Sequence, residues 1–259
     1  MCEFKEITSK ENSLIKLTSE LQNSSKKRHK TGLFVLEGLR ICKDAFENGI
    51  RFDKLIISKT AKEKFCSIIS DFSSVCAECY LLPDSLFKKI SETDSPQGII
   101  VLAKKPETKK LDFSQGRFVG LENLQDPSNL GAIARSCEAL GADGILLSKN
   151  CCDPFSPKSL RASMGTLLRI PVIILDDFVN DIKKLGLKTF ACVVDSEALP
   201  ITKANFTDGS IVLIGNEANG LTADTINACD LKITIPMNGT AESLNASVAA
   251  AIAVWEMMK

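Results

Sequence analysis

Phe118-Val119-Gly120-Leu121 leads into Asn123-Leu-Gln-Asp126-Pro127-Ser128-Asn129-Leu-Gly131-Ala132-Ile-Ala-Arg135, an apolar run followed by an irregular polar stretch and a segment of helical character. The run reads as a buried strand. Asp126-Pro127 makes a turn, Ser128 or Asn129 can cap the helix that follows, and Arg135 falls within two turns of the helix start. Taken alone, this is compatible with an ordinary capped helix bearing a solvated arginine. Further strand-like runs at Gly144–Leu147, Val172–Leu175, Thr189–Val194, Ile211–Ile214 and Leu231–Ile235 alternate with helix-like stretches. That alternation predicts an α/β fold with a mostly parallel sheet, in which ligands collect outside the carboxyl ends of strands.

Two more loops leave such ends. After Ile211–Ile214 comes Gly215-Asn216-Glu217-Ala-Asn-Gly220-Leu221, where glycines permit backbone to approach a ligand and Glu217 can face the crevice. After Leu231–Ile235 comes Pro236-Met237-Asn-Gly239-Thr-Ala-Glu242-Ser243-Leu244-Asn245-Ala-Ser247, leading into an Ala-rich helix read from about Ser243 to Met258. Each loop separately is compatible with a tight turn or a helix cap. No strand is followed by G-x-G-x-x-G or by G-x-x-x-x-G-K-[ST], so a dinucleotide fold and a P-loop are unsupported.

N-terminal to this block, helical periodicity at Glu11–Gln22, Leu39–Asn48 and Thr60–Phe72 alternates with apolar runs at Leu33–Leu36, Leu55–Ile57, Glu78–Leu81 and Gly98–Ala103. The polar segment Lys104-Lys105-Pro106-Glu107-Thr108-Lys109-Lys110 separates the two blocks. The expected division is a smaller domain over 1–104, a linker over 105–114 and a larger domain over 115–259.

The 259 residues are 44% hydrophobic and 25% charged, which is globular composition, and no apolar run approaches the ~20 residues that span a bilayer. Basic and acidic residues balance at 32 each, so any nucleic-acid contact is local. The concentrated positive charge is Lys26-Lys27-Arg28-His29-Lys30, either a solvated face or the edge of a phosphate-binding surface. Ten scattered cysteines in apolar settings suggest a reducing cytoplasm, and with one histidine in the chain no zinc site is expected. His29 reads as a surface residue.

Asp126-Pro-x-Asn129-x-Gly131-Ala132-x-x-Arg135, Gly215-Asn216-Glu217-x-x-Gly220-Leu221 and Ile235-Pro236-Met237-x-Gly239-x-x-Glu242-Ser243-Leu244-Asn245-x-Ser247 resemble, in order, the three motifs of the SpoU/TrmH-type RNA 2'-O-ribose methyltransferases of the SPOUT superfamily. Pro157-Lys158-x-x-Arg161-Ala162-Ser163-x-Gly165 is similar to the segment between the first two motifs. Phe34-Val-Leu-Glu37-Gly38-x-Arg40 and Ser95-Pro96-Gln97-Gly98 resemble, more loosely, the L30e-like substrate-binding domain of ribosomal RNA members.

The resemblance implies a trefoil-knotted C-terminal domain, a homodimer with its active site near the subunit interface, and methyl transfer from S-adenosylmethionine to a ribose 2'-hydroxyl, with ribosomal RNA favoured over transfer RNA. It implies cofactor contacts at Gly215, Asn216, Glu217, Gly220, Ile235, Pro236, Met237 and Leu244, and places Asn129, Arg135, Glu217, Ser243 and Asn245 at the reacting centre. Arg135 is expected to clamp the target phosphate rather than act as base, since a guanidinium does not deprotonate in proteins. Glu217 is expected to order its loop and Arg135. Lys26, Lys27, Arg28, Lys30, Arg40 and Arg161 are the candidate RNA contacts. A non-catalytic RNA-binding or ribosome-assembly factor, and methylation of a base nitrogen, are the competing readings.

Overall fold

Apolar runs of five or so residues, bounded by polar turns, become two sheets of five and seven strands in the computed structural model, which describes residues 3–107 and 111–259. Residues 108–110 of the expected linker lie outside the described residues. Tertiary contacts group Met1–Glu107 with Phe155–Arg161 as one unit, and Thr108–Pro154 with Ala162–Lys259 as the other.

In the first unit the order along the chain is β1 (Phe4–Glu6), α1 (Ser13–Asn23), α2 (Ser25–Thr31), β2 (Leu33–Glu37), α3 (Leu39–Glu47), β3 (Phe52–Ser58), α4 (Lys59–Lys64), α5 (Cys66–Val75), β4 (Glu78–Leu82), α6 (Asp84–Ile90) and β5 (Ile99–Lys104). The sheet order is β1-β4-β3-β5-β2, with β1, β4 and β3 parallel and β5 antiparallel to both its neighbours. Leu14, Ile15 and Leu21 of α1 close one side of its core against Ile56, Phe87 and Leu102. The helix expected over Thr60–Phe72 breaks in two at Phe65, whose φ of −121° leaves the helical range. Phe155–Arg161 was expected with the C-terminal domain; here the Phe155 ring lies 5.2 Å from that of Phe34, and Arg161 pairs with Glu92 at 2.9 Å.

Arg28 is not a surface cation. The helical spacing of α2 turns it inward, 4% exposed, where its guanidinium donates to the carbonyls of Leu21 at 2.6 Å and Gln22 at 3.0 Å. Those carbonyls belong to the last turn of α1, which has no intrahelical donors for them. Lys26, Lys30 and His29 stay exposed, and Lys27 pairs with Glu20 at 2.5 Å.

The second unit runs β6 (Arg117–Leu121), α7 (Pro127–Leu140), β7 (Gly144–Ser148), α8 (Pro157–Ala162, mostly grouped with the first unit), β8 (Val172–Leu175), α9 (Phe178–Lys184), β9 (Lys188–Cys192), β10 (Leu199–Pro200), β11 (Ser210–Ile214), α10 (Ala223–Ala228), β12 (Leu231–Thr234) and α11 (Ala246–Met258). The sheet is entirely parallel in the order β10-β12-β9-β11-β6-β7-β8. Every residue of β11, at its centre, is buried, as expected of a strand covered on both faces. Helices α7 and α11 pack against each other. Two helix starts differ from expectation. Asp126, not Ser128 or Asn129, caps α7, accepting from the Ser128 N–H at 2.9 Å with Pro127 in the first turn. The last helix begins at Ala246, because Asn245 accepts from the Ser247 N–H at 2.8 Å and caps it, leaving Ser243 in the preceding loop.

Arg28→Ala leaves two carbonyls of α1 without donors in a buried setting, so unfolding in urea should show a loss of about 1–3 kcal/mol. Lys26→Ala and Lys30→Ala should leave the midpoint within experimental scatter.

Candidate functional site

The loops leaving β6, β11 and β12 meet at the carboxyl end of the sheet in the second unit. Gly215, which follows β11, is there for close approach: a Cβ on it would lie 2.0 Å from the Gly220 carbonyl carbon and 2.1 Å from the Leu221 nitrogen. The loop therefore folds back on itself, Asn216 and Gly220 exchanging two backbone hydrogen bonds of 3.0 and 2.9 Å. The Asn216 side chain holds the turn, accepting from the N–H groups of Ala218 and Asn219 while donating to the Asn123 carbonyl at 2.8 Å.

This shape projects Glu217 at the start of α7. Its carboxylate accepts from the N–H of Gln125 at 3.1 Å, the N–H of Asp126 at 3.0 Å and the side-chain amide of Asn129 at 3.0 Å. Partial burial works against the charge, but the Asn129 amide and the surrounding backbone N–H groups outweigh it and hold the carboxyl below its usual range. Asn129, buried in the first turn of α7, then accepts from the Asn245 amide at 3.1 Å. Glu217, Asn129 and Asn245, separated widely in sequence, thus form one chain of hydrogen bonds. Gly131 lets the helix sit here, since a Cβ on it would meet Ala162 and Ser163 at 2.5 to 2.6 Å.

Ser243 and Arg135 stand outside that chain. Ser243 is exposed in the loop before α11. Arg135 is exposed and, among the described residues, its side chain has no hydrogen bond or ion pair. Six residues along an α-helix from Asn129 amount to about 9 Å of rise and about 120° of rotation. The expectation that Glu217 orders Arg135 therefore does not hold within one chain: its partners are Asn129 and the backbone of 125 and 126.

A cavity of about 460 Å³ opens beside the network, at the ends of β9, β11 and β12. Gly215, Asn216, Glu217 and Gly220 form one wall, Ile235, Met237, Ser243 and Leu244 another, and Val193, Ala246 and Ala249 supply apolar surface. Pro236 is not among the residues lining it. Behind it, Cys151 and Cys152 brace the loop after β6 through Leu124, and burial, helped by the negative charge of neighbours, pushes the Cys152 thiol up to about 12. A thiol held protonated is a packing group, not a nucleophile.

Glu122 was not singled out by sequence. At the end of β6 it is 5% exposed and accepts from the Thr222 N–H at 2.8 Å, the Thr222 hydroxyl at 2.9 Å and the Thr225 hydroxyl at 2.7 Å. It fixes the far end of the Gly215–Leu221 loop and the start of α10. A carboxylate closing an otherwise apolar strand was the available signal.

Among the described residues no group of three or more His, Cys, Asp or Glu side chains could hold a metal ion, and no helix is long and apolar enough to cross a membrane.

Residues 116–255 match the SpoU rRNA methylase family and residues 12–101 the MRM3-like substrate-binding domain. The chain is 31% identical over 257 residues to the 23S rRNA (guanosine(2553)-2'-O)-methyltransferase of Bacillus subtilis, covering 98% of this chain and 99% of the relative. It is 28% identical to the 23S rRNA (uridine(2479)-2'-O)-methyltransferase of Streptomyces viridochromogenes, covering 92% and 87% of the two chains. An AdoMet-bound rRNA methyltransferase from Sinorhizobium meliloti superposes with a TM-score of 0.84 at 26% identity, over 98% of this chain and 97% of that one. With its three motif loops gathered at one end of a parallel sheet and the family match spanning that whole unit, the chain belongs to the SpoU rRNA methylase family.

Proposed function

We propose that the protein transfers a methyl group from S-adenosylmethionine to a ribose 2'-hydroxyl of ribosomal RNA, as a homodimer. The observation that carries this reading is the continuous hydrogen-bond chain from Glu217 through Asn129 to Asn245 along the edge of a cavity of small-molecule size.

S-adenosylmethionine suits the cavity by the chemistry of its walls. Apolar Val193, Leu221, Ala246 and Ala249 accommodate a flat base, and close backbone at Gly215, Ile235 and Met237 offers polar groups without bulky side chains. Gly215, Asn216, Glu217, Gly220, Ile235, Met237 and Leu244 would hold it, with Pro236 shaping the loop from behind. When bound, the cofactor supplies an electrophilic methyl group. The chain's own residues then have two tasks, holding the ribose in line and orienting a weakly nucleophilic hydroxyl. Asn129 and Asn245 are fixed by Glu217 and by the α11 cap, so they present amide groups of set orientation. Ser243, free in its loop, adds a hydroxyl.

Arg135 clamps the phosphate of the target nucleotide. Its exposure and its offset from Asn129 support a site completed across a dimer interface, the partner's Arg135 reaching the network of this chain. The exposed apolar face of α11, with Val248 46% and Trp255 55% exposed, supports the same interface. A C-terminal knot is the topology proposed for this unit, on the family match over residues 116–255. On the first unit, Lys26, Lys27, Lys30, Arg40 and Arg161 remain the proposed RNA contacts, with Arg28 removed. A cytoplasmic setting accords with free thiols throughout the described cysteines.

The deciding assay is transfer of labelled methyl from S-adenosylmethionine to unmodified total RNA, resolved by size. Label in large ribosomal RNA, resistant to alkaline cleavage at the modified linkage, is expected. Label confined to transfer RNA, or none even with pre-ribosomal particles, overturns the reading.

Four variants at three positions probe the roles. Arg135→Ala should lower kcat by about 100-fold or more with unchanged cofactor binding, and a near-wild-type single-turnover rate for Arg135→Lys would remove the bidentate clamp. Gly215→Ala should weaken S-adenosylmethionine binding by at least about tenfold in calorimetry, because the loop must shift to admit the methyl group. Glu217 has a folded-state carboxyl below its ordinary value, so its contribution to stability is present above the usual carboxylate range and is lost as pH falls through the folded value. The difference in unfolding midpoint between wild type and Glu217→Gln should therefore be full at neutral pH and vanish well below about pH 4.

A further inference from the structure

The first unit contains a cavity lined by none of the three motif loops. It measures about 410 Å³ and opens at the carboxyl ends of the parallel pair β3 and β4, which close on Ser58 and Leu82. That end of parallel strands is where ligands collect, and the volume falls within the ~300–1,000 Å³ of small-molecule sites.

Its lining is of mixed chemistry. Phe65, half-buried at the break between α4 and α5, offers an aromatic wall, with the Lys64 ammonium 5.3 Å from its ring centroid. Lys88 of α6 is exposed in the lining. Asp84, the carboxylate of the lining, is already engaged: the Ser58 hydroxyl holds it below its usual range, and the Thr60 N–H donates to it at 3.2 Å. Gln97 uses its side-chain oxygen to accept from the Leu39 N–H at 2.8 Å, so the amide N–H groups are its donors. The same bond ties this wall to the turn that carries Arg40.

An aromatic wall, amide donors and two lysines fit a planar base with phosphates on its flanks better than they fit a bare anion or a metal ion. Stacking on an aromatic ring is tolerant of sequence, and lysines bind phosphate through charge. We propose that this cavity takes one unpaired nucleotide of the RNA substrate, its base against Phe65 and its flanking phosphates on Lys64 and Lys88. The inference rests on the reading that the chain acts on RNA, and gives the substrate-binding unit a single-strand anchor.

The test uses the full-length protein and a thiouridine-substituted single-stranded ribosomal RNA transcript, photocrosslinked and mapped by peptide. A crosslink within 58–65 or 95–98 is expected. The double variant Lys64→Ala, Lys88→Ala should raise KM for RNA about tenfold with kcat, cofactor binding and unfolding midpoint unchanged, and Phe65→Leu should lose the crosslink. Crosslinks only elsewhere, or an unchanged KM in an active double variant, overturn the proposal. If the crosslink forms but wild type transfers no methyl to any RNA, the methyltransferase reading falls and the nucleotide site stands.

Discussion

Much of the second unit hangs on one carboxylate. Glu217 is carried by the loop after β11, yet its acceptors are taken up by the start of α7, which follows β6. The N–H groups of Gln125 and of the cap residue Asp126 lie just ahead of the first turn of α7 and find no partner inside the helix, whose dipole adds a partial positive charge at the same point. An anionic side chain delivered there satisfies donors that would otherwise need water, and it locks two loops from neighbouring strands. Asn129 passes the constraint to Asn245, which caps the last helix. Three loops distant in sequence therefore hold one another in place, and two of them, with the end of β9, wall the cavity.

The second constraint is lack of volume. Gly215 cannot carry a side chain without meeting Gly220 and Leu221. The tight fold of the loop turns Glu217 toward α7 and leaves backbone, not side chains, along part of the cavity wall. Glu122 works from the other side of the same loop: a buried charge with three donors is tolerable where an unpaired one is not.

Ten of the twelve strands were legible because each is an apolar run between turn residues, and their loops were legible because glycine, proline and small polar residues have few other uses there; β1, a Phe-Lys-Glu triplet, and β10, two residues long, carry no such run. What sequence hid are matters of direction and distance. A run of five basic residues reads as a charged surface, but helical rotation buries Arg28 among the carbonyls of α1. Ser128 and Ser243 are good caps by type; Asp126 and Asn245 take the positions because Pro127 sets the start of α7 and the loop before α11 stays extended past Ser243. Phe155–Arg161 follows the second unit's strands in sequence and packs with the first through an aromatic contact no periodicity reveals. Arg135 lies within two turns of Asn129 along the chain and yet faces elsewhere, since closeness in a helix depends on angle as much as on rise.

The strand order carries a kinetic consequence. Central β11 pairs with β6, about ninety residues earlier, and with β9 on its other side. During synthesis β6, β7 and β8 emerge with one edge of β6 unpaired until β11 arrives. Contacts so remote in sequence slow folding and prolong exposure of apolar edges. Refolding of this unit should therefore be far slower than that of a helical bundle of equal size.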